Sequence, residues 1–217
     1  MNAATHPRIK ICGITNLDDA LAAADLGVEY LGFVFATSAR QVDRQTVTAI
    51  RSRIPSTIRA VGVFVNASRQ DIMETCRECG LDVAQLHGDE RPEMAGALGG
   101  VDAWKALRIR SESDVARVAD YRGFVSAVLL DAYCCGSAGG TGHVFDWTLA
   151  REARQHGVPI VLAGGLDQDN VRAAIRVVGA SVVDVSSGVE SVPGKKDHSR
   201  LRLFVKSVRQ SEVPAER

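Results

Sequence analysis

Short apolar runs rich in β-branched residues recur along the chain, and a stretch with apolar residues at helical spacing follows each of them. A run of this kind is typical of a buried strand, and the stretch after it is typical of an amphipathic helix. The runs end 21 to 32 residues apart, which fits one strand, one helix and two short loops. The eight predicted strands are 8–12, 30–35, 59–65, 83–87, 103–108, 127–131, 159–163 and 182–186.

Capping residues mark the ends of several predicted helices. Asn16 precedes a helix predicted over 17–26 as its N-cap, and Gly27 follows it as a favourable C-terminal cap. Pro92 stands near the start of the fourth helix, where its missing N–H costs little. The same signals predict further helices over 69–79, 170–178 and 197–208.

Strict alternation of eight β-then-α units predicts parallel strands joined by right-handed crossovers. An open, doubly wound sheet is also compatible with such alternation. Because the 217 residues contain no composition break and no long linker, eight units favour closure into a (β/α)₈ TIM barrel, an α/β fold. We therefore predict a single domain over 1–217, with a core over about 8–209 and a polar, frayed tail over 210–217.

The charge balance restricts the classes of partner. Lys and Arg together number 26, as do Asp and Glu, so the formal net charge is zero. This balance offers no basic stripe for nucleic acid and no polybasic face for a membrane. No apolar run approaches the ~20 residues of a membrane span, and the N-terminus does not resemble a signal peptide. We predict a cytoplasmic protein with reduced thiols, as a monomer or homodimer, that binds a small molecule.

The five cysteines could in principle form a redox or metal site. Cys76 and Cys79 form a C-x-x-C pair, but they lie within a predicted helix and no second pair stands at zinc spacing. We therefore predict buried or half-buried helix cysteines. Cys134 and Cys135 lie in a glycine-rich loop without an obvious metal partner, and no metal site is predicted.

Candidate chemistry is concentrated at the predicted strand ends, because the active site of a (β/α)₈ barrel is built at the C-terminal ends of its strands. Cys12, His87 and Asp131 end the first, fourth and sixth strands, and Asp184 lies near the end of the eighth. Residues two apart share a face, so Lys10 lies on the inner face with Cys12 if Ile9 and Ile11 face the helices. A charge on that face is costly unless it is paired or solvated at the mouth, which favours a functional Asp131. Cys12, taken alone, is more typical of a small core residue.

Two glycine-containing loops are typical of phosphate sites. Gly164 and Gly165 follow the seventh strand, and Ser187 and Gly188 follow the eighth, where a short helix would add its N-terminal dipole. Phosphate sites after strands seven and eight recur in this fold. The long glycine-rich loop 134–143 suits a lid over substrate, although a surface insertion would have the same composition.

Motifs spread over nearly the whole chain resemble, in order, those of the phosphoribosylanthranilate isomerase family. They are KICGIT (10–15), GFVF…SAR (32–40), VGVFVN (61–66), QLHGDE (85–90), LLDA (129–132), GGTG…FDW (139–147), LAGGL…NV (162–171) and DVSSGVE…PGKKD (184–197). No single motif suffices, but together they are highly specific. Ala39 stands where the family usually has proline, which loosens the loop that presents the next residue.

The resemblance implies a barrel without metal or organic cofactor that catalyses an Amadori rearrangement of N-(5-phospho-β-D-ribosyl)anthranilate. It implies Cys12 as general base, Asp131 as general acid and Arg40 as the group that holds the anthranilate carboxylate. It also assigns the phosphate to the loops at Gly164-Gly165 and Ser187-Gly188. Strands one and six are well apart around a barrel, so the two catalytic groups would flank the ribose.

The reaction requires particular protonation states of these residues. Asp131 must carry a proton, and we expect partial burial to favour the neutral acid. Cys12 must be a thiolate, which a cation at Lys10 would favour. His87 is an alternative proton carrier, with a positioning role preferred. Asp184 either hydrogen-bonds the substrate's amine or ribose, or only neutralises Lys10.

Three other readings remain open from the sequence. The histidine-pathway isomerase performs the same rearrangement, but that family has an aspartate at the position of Cys12 and needs a second phosphate site. Other tryptophan-pathway barrels require a different set of lysines and glutamates. A non-catalytic phosphate-binding barrel would have no need of both Cys12 and Asp131.

Overall fold

Eight parallel strands close into a barrel in which each strand pairs with its neighbours in chain order and the eighth pairs with the first. The computed structural model describes residues 6–131 and 147–211. The strands are β1 (Arg8–Cys12), β2 (Tyr30–Val34), β3 (Arg59–Phe64), β4 (Val83–Leu86), β5 (Asp102–Arg108), β6 (Ala127–Asp131), β7 (Ile160–Ala163) and β8 (Val182–Val185). The predicted single-domain (β/α)₈ barrel is thereby confirmed.

Helices follow the strands and pack on the outside of the barrel. They are α1 (Leu17–Asp25), α2 (Arg44–Arg51), α3 (Arg69–Cys79), α4 (Pro92–Gly96), α5 (Glu112–Ala116), α6 (Trp147–Ala153), α7 (Val171–Val178) and α8 (His198–Arg209). Short 3₁₀ helices cover Arg117–Tyr121, Arg154–His156 and Ser187–Val189. An antiparallel hairpin, β9 (Glu190–Val192) and β10 (Lys195–Lys196), lies between β8 and α8 and was not among the predicted elements.

Element boundaries agree with the sequence signals to within a residue or two. The side chain of Asn16 accepts a hydrogen bond from the Asp19 amide and caps α1 as predicted. Asn170 is the residue before α7 rather than its first helical residue. The chain leaves the strand one residue early after β2, β3, β4 and β8, because these residues turn into the loops of the mouth. Those residues are Phe35, Val65, His87 and Ser186.

The barrel core has an inner and an outer layer. The inner layer fills the barrel and consists of Tyr30, Val61, Val83, Trp104, Ala106, Ala127, Leu129, Val161, Ala163 and Val182. Ile9 and Ile11 belong to the outer layer, where the strands meet the helices. Lys10 and Cys12 alternate with them and so lie on the inner face of β1, beside Tyr30 and Gly32 of β2.

The remaining features concern the cysteines and the C-terminus. Cys76 and Cys79 are buried, unpaired thiols of α3, as predicted, and burial raises the pKa of Cys76 to about 12. Cys134, Cys135 and the loop 134–143 lie outside the described residues.

Ser211, in the tail predicted to fray, is buried and donates a hydrogen bond to the Ser207 carbonyl, so packing extends to this residue. Within the described ranges, no helix has the length and apolar character of a membrane span.

Candidate active site

A buried ion pair lies beside the thiol of Cys12 at the end of β1. Nζ of Lys10 and Oδ1 of Asp184 are 2.9 Å apart, and the Lys10 side chain has no exposed surface. The two residues are register partners on β1 and β8. Burial has the largest single effect on the pKa of Lys10 and lowers it. Asp184 and Cys12 together raise this pKa by more, so the net pKa of Lys10 is raised. Lys10 is therefore a fixed cation inside the barrel.

Burial and the neighbouring cations have opposing effects on the pKa of Cys12. Burial, the largest of them, raises the pKa of the Cys12 thiol, and Asp184 adds to this increase. Lys10 lowers the pKa through its charge and a hydrogen bond, but the net pKa stays above the ordinary value. The thiol is thus a strong base once deprotonated, and Lys10 is the main cation that favours the deprotonated form.

Gly32 provides the space in which the thiol and the ammonium group meet. A Cβ atom at this position would lie 2.9 Å from Sγ of Cys12 and 3.1 Å from Nζ of Lys10. Both distances are shorter than ordinary van der Waals contact, so a methyl group would displace the two side chains. The site therefore requires a residue without a side chain at position 32 of β2.

Asp131 ends β6 on the inner face, in alternation with the inward-facing Leu129. Its side chain is about a quarter exposed, and Oδ2 lies 3.5 Å from Nε2 of His87. Nδ1 of His87 lies 2.9 Å from Nε2 of the buried Gln85. This contact orients the imidazole so that Nε2 is the nitrogen that faces Asp131. Sequence analysis did not identify Gln85.

Cys12 and Asp131 face the same mouth from different sides. β1 and β6 are three strands apart by the shorter way round the barrel. Both residues end their strands on the inner face, at the C-terminal end where the βα loops begin. Lys10 and Asp184 lie beside Cys12, and His87 lies beside Asp131, so the predicted residues form two groups around one opening.

Arg40 extends from the loop after β2 to the hairpin. Its guanidinium forms hydrogen bonds with both carboxylate oxygens of Glu190, the shortest of 2.7 Å. These hydrogen bonds raise the pKa of Arg40. Its Cδ lies only 2.6 Å from the position of a Cβ on Gly13, which places Arg40 over the end of β1.

Glu190 also contacts a second cation, Lys196. Nζ of Lys196 lies 2.9 Å from Oε1 of Glu190 and donates to the backbone carbonyls of Cys12 and Ser186. Glu190 and Lys196 were not predicted as site residues. Both lie in the motif of the eighth unit, but a two-residue strand such as β10 has no periodicity that could have revealed their partners.

The two phosphate-type loops lie against each other. Gly164 and Gly165 both adopt positive φ, and no described atom lies within 4 Å of a Cβ on Gly165. A Cβ on Gly188 would lie 2.0 Å from the carbonyl oxygen of Leu166, so only glycine permits this approach. Ser187 is exposed and opens the 3₁₀ turn Ser187–Val189. The loops after β7 and β8 thus form one surface with closely spaced backbone groups.

A second buried ion pair supports the loop after β4. Nζ of Lys105 lies 2.9 Å from Oε2 of Glu90 and also donates to the carbonyls of Leu86 and Gly88. Glu90 in turn accepts from the Asn66 and Gly88 amides. These contacts fix the loop that carries His87, and no local pattern predicted them. No three His, Cys, Asp or Glu side chains are grouped as metal ligands in residues 6–131 and 147–211.

Comparisons with known proteins agree with this architecture. The family model described as N-(5'phosphoribosyl)anthranilate (PRA) isomerase matches residues 9–207. The N-(5'-phosphoribosyl)anthranilate isomerase of Pelobacter propionicus is 46% identical over 212 residues, which are 97% of this chain and 99% of the relative.

Solved structures are similar over the same span. Phosphoribosyl anthranilate isomerase from Thermotoga maritima has a TM-score of 0.87 and 40% identity, over 94% of this chain and 98% of that one. A complex of such an isomerase with reduced 1-(o-carboxyphenylamino)-1-deoxyribulose 5-phosphate has a TM-score of 0.84 and 38% identity, with the same coverage. The match to the family model and the full-length identity show that this chain belongs to the phosphoribosylanthranilate isomerase family.

Proposed function

We propose that the chain isomerises N-(5-phospho-β-D-ribosyl)anthranilate to 1-(2-carboxyphenylamino)-1-deoxy-D-ribulose 5-phosphate in tryptophan biosynthesis. The observation that carries the proposal is the placement of a thiol, Cys12, and a carboxyl group, Asp131, at one barrel mouth three strands apart. Membership of the isomerase family supports the identity of the substrate.

The rearrangement requires an acid and a base on two sides of the sugar. Asp131 donates its proton to the ring oxygen, and the C1′–O bond breaks to give an open-chain iminium ion. The Cys12 thiolate then removes the proton from C2′, and the electron pair moves to give an enolamine. Tautomerisation of the enolamine yields the ketone. No electrons enter or leave, so no cofactor is needed.

Lys10 assists the base, and Asp184 assists Lys10. The ammonium group lowers the pKa of Cys12 against the larger effect of burial. Asp184 pairs with Lys10 at 2.9 Å, which favours the second of the two roles considered for this aspartate, neutralisation of the lysine. The pair holds the cation in a region where an unpaired charge would be strongly disfavoured.

His87 serves as a positioning residue in this proposal. The contact with Gln85 orients the ring so that Nε2 faces Oδ2 of Asp131. The tautomer protonated at Nε2 would present an N–H to Oδ2, which leaves the acidic proton on the other oxygen, Oδ1, where it can reach the sugar. The 3.5 Å separation from Asp131 supports orientation rather than a second acid.

The two charged ends of the substrate are held by different loops. Arg40 binds the anthranilate carboxylate through a charge-assisted contact. Gly164 and Gly165 bind the phosphate together with Ser187 and Gly188, through backbone N–H groups and the start of the 3₁₀ turn. The zero net charge of the chain leaves recognition of both anions to these few groups.

We also propose that the protein acts in the cytoplasm, as a monomer or homodimer, without nucleic acid or membrane partners. The buried free thiols of Cys12, Cys76 and Cys79 and the balanced charge support this environment. A relative from Thermotoga maritima is described as dimeric and has also been made as monomers. Light scattering of the purified protein would determine the oligomeric state.

The test follows the fluorescence of the anthranilate adduct with the purified protein. The wild-type protein should consume the adduct, and Asp131→Asn should reduce kcat by ~10²–10⁴-fold with an unchanged circular dichroism spectrum. Complementation of a tryptophan auxotroph that lacks this step should succeed with wild type and fail with the variant. A folded wild-type protein that does not turn over the adduct would reject the proposed function, as would preferential turnover of the histidine-pathway bisphosphate.

A further inference from the structure

Glu190 is a buried carboxylate that the proposed mechanism does not use. Only about 5% of the residue is exposed, although it lies in a short hairpin at the barrel mouth. It accepts hydrogen bonds from Arg40 and from Lys196. A buried carboxylate between two cations needs such contacts to remain charged, and they lower the pKa of Glu190 despite the opposing and larger single effect of burial.

The contact with Glu190 occupies one side of the Arg40 guanidinium. Nε donates to Oε1 and Oε2 at 2.9 and 3.2 Å, and Nη2 donates to Oε2 at 2.7 Å. A guanidinium carries five N–H donors in a planar fork. The edge formed by Nη1 and the second hydrogen of Nη2 therefore points away from Glu190, and this edge matches a second carboxylate.

Lys196 ties Glu190 to the barrel wall. Its ammonium group is fully buried and donates to the carbonyls of Cys12 and Ser186, at the ends of β1 and β8. The Glu190 carboxylate, which holds Arg40, is thus fixed to the end of β1, the strand that carries the catalytic thiol, and to the end of the neighbouring β8. Lys196 sets the position of Glu190, and Glu190 sets the position of Arg40.

The hairpin also contacts the loop that carries Arg40 through backbone atoms. A Cβ on Gly194 would lie 2.9 Å from the carbonyl oxygen of Ala39, so the hairpin turn packs directly on that loop. Thr15 donates a hydrogen bond to the Gly194 carbonyl and joins the turn to the loop after β1. Ala39 replaces the proline usual in the family, and these contacts restrain the loop from outside.

We propose that Glu190 is a positioning residue that aims the Nη1–Nη2 edge of Arg40 at the substrate's aryl carboxylate and thereby sets selectivity for a carboxylated aniline. The inference rests on the proposed role of Arg40. It concerns a residue that contacts no substrate atom and acts through another side chain.

Charge and orientation predict opposite effects of removing Glu190. Neutralising this carboxylate leaves two cations, Arg40 and Lys196, near the substrate carboxylate, and charge alone would therefore tighten binding. Loss of orientation would weaken it, because the Arg40 side chain is about a quarter exposed and would sample many rotamers. The sign of the change in KM separates these two cases.

The experiment compares two substrates, N-(5-phosphoribosyl)anthranilate and N-(5-phosphoribosyl)aniline, which lacks the carboxylate. For Glu190→Gln we expect KM for the anthranilate adduct to rise about tenfold or more, with a smaller change in kcat. For the aniline adduct we expect kcat/KM to change much less, because Arg40 has no carboxylate to hold. Glu78→Gln, which breaks an exposed contact with Arg44, is the matched control and should alter neither substrate.

A double-mutant cycle tests whether Glu190 acts through Arg40. In an Arg40→Ala background, Glu190→Gln should have almost no further effect on KM for the anthranilate adduct. Circular dichroism and thermal melting establish that each variant is folded. Where Glu190→Gln does not fold, Glu190→Asp keeps a charge for Lys196 while shortening the reach to Arg40, and it replaces Glu190→Gln in the cycle.

Three results would overturn the inference about Glu190. They are an equal loss of kcat/KM for both substrates, a lower KM for the anthranilate adduct, and an undiminished effect in the Arg40→Ala background. If Arg40→Ala itself left KM for the anthranilate adduct unchanged, the carboxylate role of Arg40 would also be rejected. That single variant therefore distinguishes failure of the proposed function from failure of the inference built on it.

Discussion

Lys10 and Asp184 form an ion pair inside the barrel, with 2.9 Å between Nζ and Oδ1, on the same inner face as the thiol of Cys12. The pair places a permanent cation beside a thiol that burial would otherwise keep protonated. Because Asp184 opposes the effect of Lys10 on Cys12, the site balances two needs. It keeps the lysine charged, and it keeps the thiolate basic, as the proposed removal of a proton from carbon requires.

Replacement of Lys10 should change the pH dependence of catalysis. The base must be deprotonated, so kcat/KM rises as pH increases through the pKa of Cys12, which burial raises and Lys10 lowers. Lys10→Met removes the lowering influence, and the rising limb should therefore move to higher pH, with reduced turnover at neutral pH. Lys206→Met, on the exposed face of α8, serves as the control. A limb that stayed in place or moved to lower pH would exclude Lys10 as the group that favours the thiolate.

Gly32 should be intolerant of a methyl group, which would displace the thiol and also press on the backbone of β1 at Cα of Cys12, 3.1 Å away. In Gly32→Ala the new Cβ would lie 2.9 Å from Sγ of Cys12, and relief of this contact displaces the thiol. A displacement of about 1 Å costs about 10²-fold in rate, and we expect kcat to fall by about this factor in a folded protein. Gly99→Ala is the matched control, since no described atom lies within 4 Å of a Cβ there. Equal activity of the two variants would contradict the assigned position of the thiol.

The Lys105–Glu90 pair should contribute mainly to stability. Both side chains are almost fully buried, and Glu90→Gln would leave Lys105 without its charged partner. Breaking a buried pair in this way costs about 3–5 kcal/mol, which urea unfolding would measure. Glu78→Gln, in an exposed pair, should change the free energy of unfolding by less than about 1 kcal/mol. If Glu90→Gln lowered the free energy of unfolding by no more than Glu78→Gln does, the Lys105–Glu90 pair would not contribute to stability.

The same pair predicts the direction of the acid dependence. Burial acts most strongly on Glu90 and raises its pKa, but the contacts with Lys105 and Asn66 outweigh it and the net pKa is lowered. A carboxyl group whose pKa is lower in the folded state contributes stability above its unfolded pKa. That contribution is lost as pH falls through the folded pKa. Acid unfolding of Glu90→Gln should therefore depend less on pH below about 4 than that of wild type.

Local sequence signals predicted most of the fold. The apolar runs located all eight strands, and the capping residues located α1 and α3, because strand periodicity and helix caps are encoded by neighbouring residues. The strand-end rule also placed Cys12 and Asp131 at the mouth of the barrel. These features need no knowledge of distant contacts.

Features that depend on distant partners were not predictable. Lys196 lies 184 positions from Cys12, whose carbonyl it contacts, and no local pattern encodes that meeting. Glu190 is 150 positions from Arg40, and the hairpin that carries it is too short for any periodicity. The sequence left two roles open for Asp184, and its ion pair with Lys10, 174 positions away, favours neutralisation of the lysine.

The role of Cys12 as the base is tested by the value of kcat for Cys12→Ala, measured with N-(5-phosphoribosyl)anthranilate. We expect a loss of ~10²–10⁴-fold or more, with little change in KM and an unchanged melting transition, because the thiolate acts on the bound substrate's C2′ proton. A folded Cys12→Ala protein with near wild-type kcat would contradict the assignment of this thiol as the base.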